Sequence, residues 1–173
     1  IVSADGSRRR LGPYRDAAFS PHGLFIAAVR RDELVALDPK GNVRWTLPRR
    51  SPHFPTWTGT RTDTRIAYLA GGHLHVVAGD GTDDRTIGPA RRVAPAWRPG
   101  PGHVVAYATR GKAVVYDVDT GRILLRTPPG LPQKLAWSDD GKLLLVFRPF
   151  GLRGYDRRGR VVLQDVPSDA THD

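Results

Sequence analysis

Two histidines, His73 and His75, stand two residues apart in an apolar stretch. In a strand, this spacing turns both imidazoles to one face. Two such ligands can begin a zinc site, but a catalytic site takes three and a structural one four. No third ligand accompanies them, so solvent-facing strand histidines are the preferred reading. Asp80, Asp83 and Asp84 surround Gly81, and Asp117 and Asp119 form a second acidic group. Oxygen-rich loops can hold calcium. Neither group follows an established calcium loop, and aspartates bonding their own turn backbone are preferred. Glycoside hydrolysis needs paired carboxylates, or a tyrosine with a glutamate; the sole glutamate is Glu33. Gly-x-Ser-x-Gly is absent, so no serine-hydrolase elbow is encoded. Cysteine is absent too, which removes disulfides, thiolate metal sites and thiol nucleophiles together. No catalysis by the chain itself, no metal and no cofactor are expected.

What remains is charge. The 173 residues carry 27 Lys and Arg against 17 Asp and Glu, a formal net charge of +10. The lysines are Lys40, Lys112, Lys134 and Lys142; the other basic residues are arginine, whose planar fork suits phosphate and carboxylate. Arginine together with abundant Ala, Gly and Pro points to a GC-rich bacterial genome. No apolar run approaches the ~20 residues of a membrane-spanning helix, and no signal-peptide pattern occurs. Methionine is absent, so Ile1 is not expected to be the native start.

The elements that must position these arginines follow from a repeat. Phe19, Trp57, Trp97 and Trp137 are spaced 38, 40 and 40 residues apart. Each ends a short strand and is followed by a turn, as in Ser20-Pro21-His22-Gly23 and Ser138-Asp139-Asp140-Gly141. An apolar strand comes next, at residues 24–29, 65–70, 103–109 and 142–147. A hairpin then closes each unit at Asp38-Pro39-Lys40-Gly41, Gly79-Asp80-Gly81, Asp117-Val118-Asp119-Thr120-Gly121 and Asp156-Arg157-Arg158-Gly159. Strand-like units repeating about every forty residues predict an all-β β-propeller, one four-stranded blade per period. The aromatics are read as core packing between blades. The second unit has an enlarged first turn around Gly59-Thr60-Arg61-Thr62-Asp63.

Ile1-Val2-Ser3-Ala4-Asp5-Gly6 parallels Val76-Val77-Ala78-Gly79-Asp80-Gly81. Residues 1–12 therefore read as the last hairpin of a preceding blade. Blades follow at 13–50, 51–90, 91–130 and 131–167, with a tail at 168–173. About four and a half blades suggest a segment of a six- to eight-bladed ring, with an apolar face bare at each end and self-association through those ends.

The repeat resembles the TolB-type, WD-like propellers of bacteria. Ala18-Phe19-Ser20-Pro21-His22-Gly23 with Ile26-Ala27, and Leu135-Ala136-Trp137-Ser138-Asp139-Asp140-Gly141, carry the likeness. Leu34-Val35-Ala36-Leu37-Asp38-Pro39-Lys40-Gly41-Asn42-Val43-Arg44-Trp45 is similar to quinoprotein-like propeller repeats; the later copy has Leu124-Leu125 in that strand. The resemblance implies an extracytoplasmic scaffold or binding module, or else the gating or substrate-binding propeller of a larger peptidase or oxidoreductase.

In such a blade, the turns within the first and last hairpins leave at one end. Second-to-third strand loops and blade connectors leave at the other. This second end is expected to gather Arg30, Arg31, Arg49, Arg50, Arg91, Arg92, Arg110, Lys112, Arg148 and Arg153 as a ligand-binding rim, against Asp16, Asp32 and Glu33. A protein partner or an anionic polymer is the expected ligand. Nucleic acid is disfavoured because the loops lack interleaved aromatics, with Tyr14, Phe54 and Phe150 the available rings.

Overall fold

The computed structural model describes residues 5–165. Residues 1–4 of the expected leading hairpin and the tail at 168–173 lie outside the described residues. The described chain is all-β and forms four consecutive four-stranded antiparallel sheets, consistent with propeller blades. Sheet one holds β1 (Ala17–Phe19), β2 (Ile26–Arg30), β3 (Glu33–Leu37) and β4 (Val43–Pro48). Sheet two holds β5 (His53–Gly59), β6 (Thr64–Ala70), β7 (His73–Ala78) and β8 (Arg85–Pro89). Sheet three holds β9 (Ala96–Trp97), β10 (Val104–Ala108), β11 (Ala113–Asp117) and β12 (Arg122–Arg126). Sheet four holds β13 (Lys134–Trp137), β14 (Leu144–Arg148), β15 (Gly151–Tyr155) and β16 (Val161–Asp165). In every sheet, strands adjacent in sequence are adjacent in space.

The turns repeat in atomic detail. Ser20 N donates to Phe25 O at 2.8 Å and Ser138 N to Leu143 O at 3.0 Å. The serine hydroxyls accept the N–H of Phe25 and Leu143. In the last hairpins, Asp38, Asp80, Asp117 and Asp156 each accept the N–H two residues on, at 2.9–3.0 Å. Asp5 accepts Ser7 N at 2.9 Å in the same way. Register shifts just before the turn aspartate recur at Ala36/Leu37, Val115/Tyr116 and Gly154/Tyr155, bulges that strengthen the local twist. In sheet two the shift moves to Leu74/His75. The enlarged turn of that sheet is largely absorbed into strand: pairing extends to Gly59↔Thr64, leaving a tight turn with Thr60 N on Asp63 O. Gly59 has φ 109°, and a Cβ there would stand 2.1 Å from the Asp63 carbonyl.

Apolar side chains fill the gaps between sheets. Ala27, Val29 and Leu34 meet Ile66, Tyr68, Ala70 and Val77. Ala67, Leu69, Leu74 and Val76 meet Val105, Tyr107, Val114 and Val118. Val104, Ala106, Ala108, Ala113 and Val115 meet Leu135, Leu144, Val146 and Tyr155. The cross-strand pairs Ala27↔Ala36, Ala67↔Val76 and Ala106↔Val115 become Leu145↔Gly154 in sheet four. A Cβ on Gly154 would stand 2.9 Å from Leu163 Cβ and 3.4 Å from Leu145 Cδ2, so the glycine makes room for both leucines.

The three tryptophans of the repeat pack against the clusters between sheets, as expected, though at their margins rather than enclosed. Trp57, Trp97 and Trp137 are half-buried, and each indole N–H reaches back to the preceding sheet. Trp57 donates to Ala18 O at 3.0 Å, Trp97 to Thr56 O at 3.0 Å and Trp137 to Ala96 O at 3.1 Å. Every acceptor is the residue just before the aromatic of its own sheet. Phe19 has no such donor and is 52% exposed. A second indole, Trp45, clasps sheet two from the outer strand β4 by donating to Gly79 O at 3.0 Å.

The two ends of the stack differ. Ile26, Ala28, Val35 and Leu37 of sheet one are buried with Leu11 and Tyr14 packed against them, so this face is not bare as expected. Leu11 approaches Gly41 much as Leu125 approaches Gly159 at the same turn position of sheet four. At the other end, Leu145, Phe147 and Leu152 are half-buried, whereas Ala27, Val29, Ala67, Leu69, Ala106 and Ala108 are closed over.

Trp97→Phe should destabilise the chain by about 1–2 kcal/mol, the loss of one neutral hydrogen bond and some indole contact. A melting curve should fall by about 2–4 °C per kcal/mol. Phe19→Leu should shift it less, and equal shifts would mean that the indole bonds contribute nothing.

Candidate functional site

Strand register decides which loops share an end. The pairs Arg30↔Glu33, Ala70↔His73, Ala108↔Ala113 and Arg148↔Gly151 close the second hairpins at the end where the sheet connectors also run. Backbone hydrogen bonds tie the two loop sets together. Arg49 N donates to Asp32 O, Gly71 N to Arg50 O, Ala90 N to Gly72 O, Arg91 N to Ala108 O and Gly130 N to Gly111 O, all at 2.7–3.1 Å. The basic loops therefore sit on a fixed backbone platform.

The acids of this end serve the platform. Asp32 Oδ1 accepts Ser51 N at 2.8 Å, and Asp16 Oδ2 accepts Phe54 N at 3.2 Å. Glu33 pairs with Arg30 at 2.9 Å, and the Arg30 guanidinium lies over the Tyr14 ring. Arg30 is thereby neutralised. Arg49 is engaged as well: it donates to Asp84, which was expected in the turns of the opposite end. Arg148 donates to Tyr155 Oη at 2.5 Å and lies against Gly130. Arg153 was expected in a loop but sits mid-strand in β15, opposite Val146. Arg31, Arg50, Arg91, Arg92 and Arg110 are exposed, and Lys112 is half-buried. None of these six has an ion-pair partner among the described residues, so their charge is available at this end.

One cluster went unforeseen. Tyr68 is fully buried and donates to Asp84 Oδ1 at 2.6 Å; Asp84 Oδ2 takes the Arg49 fork. Burial pushes the Tyr68 hydroxyl far above its ordinary pKa, and the Asp84 charge adds to this. The His75 ring stacks on Tyr68 with centroids 5.1 Å apart. His75 is thus not the solvent-facing residue expected, while His73 is exposed and approaches Gly71 O at 3.0 Å. A tyrosine inside an apolar strand was the available signal, because a buried phenol needs a partner. Between sheets two and three, buried His103 lies 2.7 Å from Asp119 Oδ1 through Nδ1 and 3.4 Å from Asp63 O through Nε2. Asp80 is occupied by Thr82, and Asp84 turns away from it toward Tyr68. Among the described residues, no group of three or more His, Cys, Asp or Glu is arranged to hold a metal ion.

No family model matches the chain, and no curated protein matches it. The geometry therefore defines a chain of propeller-like sheets with a basic loop end, and the arrangement of its guanidiniums is what can be read for function.

Burial, the largest influence, lowers the His75 pKa, with Asp84 opposing. A histidine held below its unfolded value of 6.5 contributes stability above that pH and loses it as pH falls toward the folded value. Denaturant midpoints measured from neutral pH downward should start to drop near that value, and His75→Gln should flatten the drop. Identical profiles for the two proteins would show that the imidazole is not desolvated.

Proposed function

We propose that this chain is a non-catalytic binding module of the TolB-type, WD-like propeller kind, belonging to a six- to eight-bladed ring and using its basic loop end to hold an anionic partner. The carrying observation is the set Arg31, Arg50, Arg91, Arg92, Arg110 and Lys112, free of ion pairs among the described residues, on loops hydrogen-bonded to one another. Fixed backbone under unpaired cations lowers the ordering cost of binding, and a single-sign field speeds association. The family resemblance goes with an extracytoplasmic bacterial setting. The larger ring is supported by the half-buried Leu145 and Phe147, and by Ala136 O, which stands where Ala18, Thr56 and Ala96 each take an indole from the next sheet.

Heparin affinity measured across a salt series should fall steeply, because cation contacts release counterions. Charge reversal at Arg50, Arg91 and Arg92 should weaken retention and flatten the salt slope. Reversal at Arg157 and Arg158, in the turn of Asp156 at the opposite end, should do much less. Equal losses would reduce the effect to net charge and remove this reading of the end.

The ring reading has its own check. Sedimentation velocity should show concentration-dependent association, suppressed by Phe147→Asp. A compact monomer at every concentration would argue instead for a closed four-sheet assembly.

A further inference from the structure

The turn between the second and third strands has central residues Arg31-Asp32 in sheet one, Gly71-Gly72 in sheet two and Arg110-Gly111 in sheet three. Sheet four places Pro149-Phe150 there, and Phe150 is 87% exposed. Pro149 suffices to preset the turn, so the ring is not needed to form it. Leu131, in the connector that enters the same sheet, is 52% exposed. Together they flank a cleft of about 440 Å³ whose lining includes Arg148, Leu152 and Arg153. Arg148 is held by Tyr155, and neither Arg148 nor Arg153 has a carboxylate partner among the described residues. Asp165 is the one acid in the lining among the described residues.

We infer that Phe150 and Leu131 form an apolar anchor on the basic end, and that its occupant is an acidic peptide segment of a protein partner carrying a hydrophobic side chain. The inference rests on the reading of that end as a binding face. Charge complementarity selects an acidic occupant. The exposed ring selects against a pure polyanion, since a sulfated or phosphorylated polymer has no side chain to bury on it. An aromatic anchor beside arginines is the composition that concentrates binding energy at protein interfaces.

The probes are a short synthetic peptide of glutamates interspersed with leucines and its counterpart with serines in place of the leucines. The leucine peptide should bind the chain roughly tenfold more tightly, the worth of burying one such side chain. Phe150→Ser combined with Leu131→Ser should erase that advantage and leave heparin retention unchanged. Reversal at Arg91 and Arg92 should weaken both peptides and heparin alike. Equal binding of the two peptides, or no effect of Phe150→Ser, overturns the anchor even where the arginine reversals still weaken heparin; in that case the basic end binds polyanions alone. Loss of self-association in Phe150→Ser with peptide binding intact also overturns it, making the patch a contact between copies of the chain.

Discussion

The indole hydrogen bond from one sheet to the first strand of the sheet before it governs the spacing of the whole stack. Ser20, Arg98 and Ser138 each donate across the first hairpin, and antiparallel alternation then makes Ala18, Ala96 and Ala136 ladder-bonded residues two positions away. Their carbonyls already serve the ladder. A carbonyl oxygen has a second lone pair, and the next tryptophan fills it at Ala18 and Ala96. An apolar contact alone would tolerate sliding between sheets. A directional bond to one named oxygen does not, so each sheet inherits its depth and splay from its predecessor. The apolar clusters then pack in the gap that this geometry sets, and the residue facing it is alanine in each of the three sheets with a described sheet after it.

Charge segregation follows from the same meander. Four antiparallel strands send two hairpin turns to one end and the middle turn with the connector to the other. Aspartate is consumed at the first end because each last hairpin closes on a carboxylate accepting the N–H two residues on. At the second end the connectors are closed by backbone bonds, and Asp16 and Asp32 complete the capping. Most turn positions there need no acid, so they can carry arginine. The basic end is in this sense a by-product of where hairpins need carboxylates, and function acts on which arginines are left unpaired.

The sequence made the period, the four sheets and the turn chemistry legible, because each rests on local residues repeated at fixed offsets. What it hid lies between units. Nothing local announces that Asp84, three residues past Gly81, bonds Tyr68 and Arg49 rather than its own turn. Likewise His75 looks solvent-facing by alternation until the displaced bulge at Leu74/His75 and the Tyr68 ring are considered. The aromatic repeat gave the position of Trp57, Trp97 and Trp137 and their packing between sheets, but not the bonded N–H, which period alone does not announce. Of the ten residues read as a rim, Arg30, Arg49 and Arg148 are engaged by Glu33, Asp84 and Tyr155, and Arg153 belongs to a strand.

Arg49 joins these two levels of organisation. It leaves a connector on the basic end, yet its fork enters the gap between sheets one and two and neutralises a nearly buried carboxylate that also holds a buried phenol. Removing either partner leaves the other uncompensated in a poorly solvated place, which costs more than the pair contributes. The connector backbone at Arg49 is simultaneously fixed by its N–H on Asp32 O, and its neighbour Arg50 by its carbonyl on Gly71 N. The position of the exposed Arg50 guanidinium is therefore set from inside the stack. A loop anchored this way presents its charge with little freedom to lose, so affinity at this end is governed by the inter-sheet gap as much as by the arginines that face water.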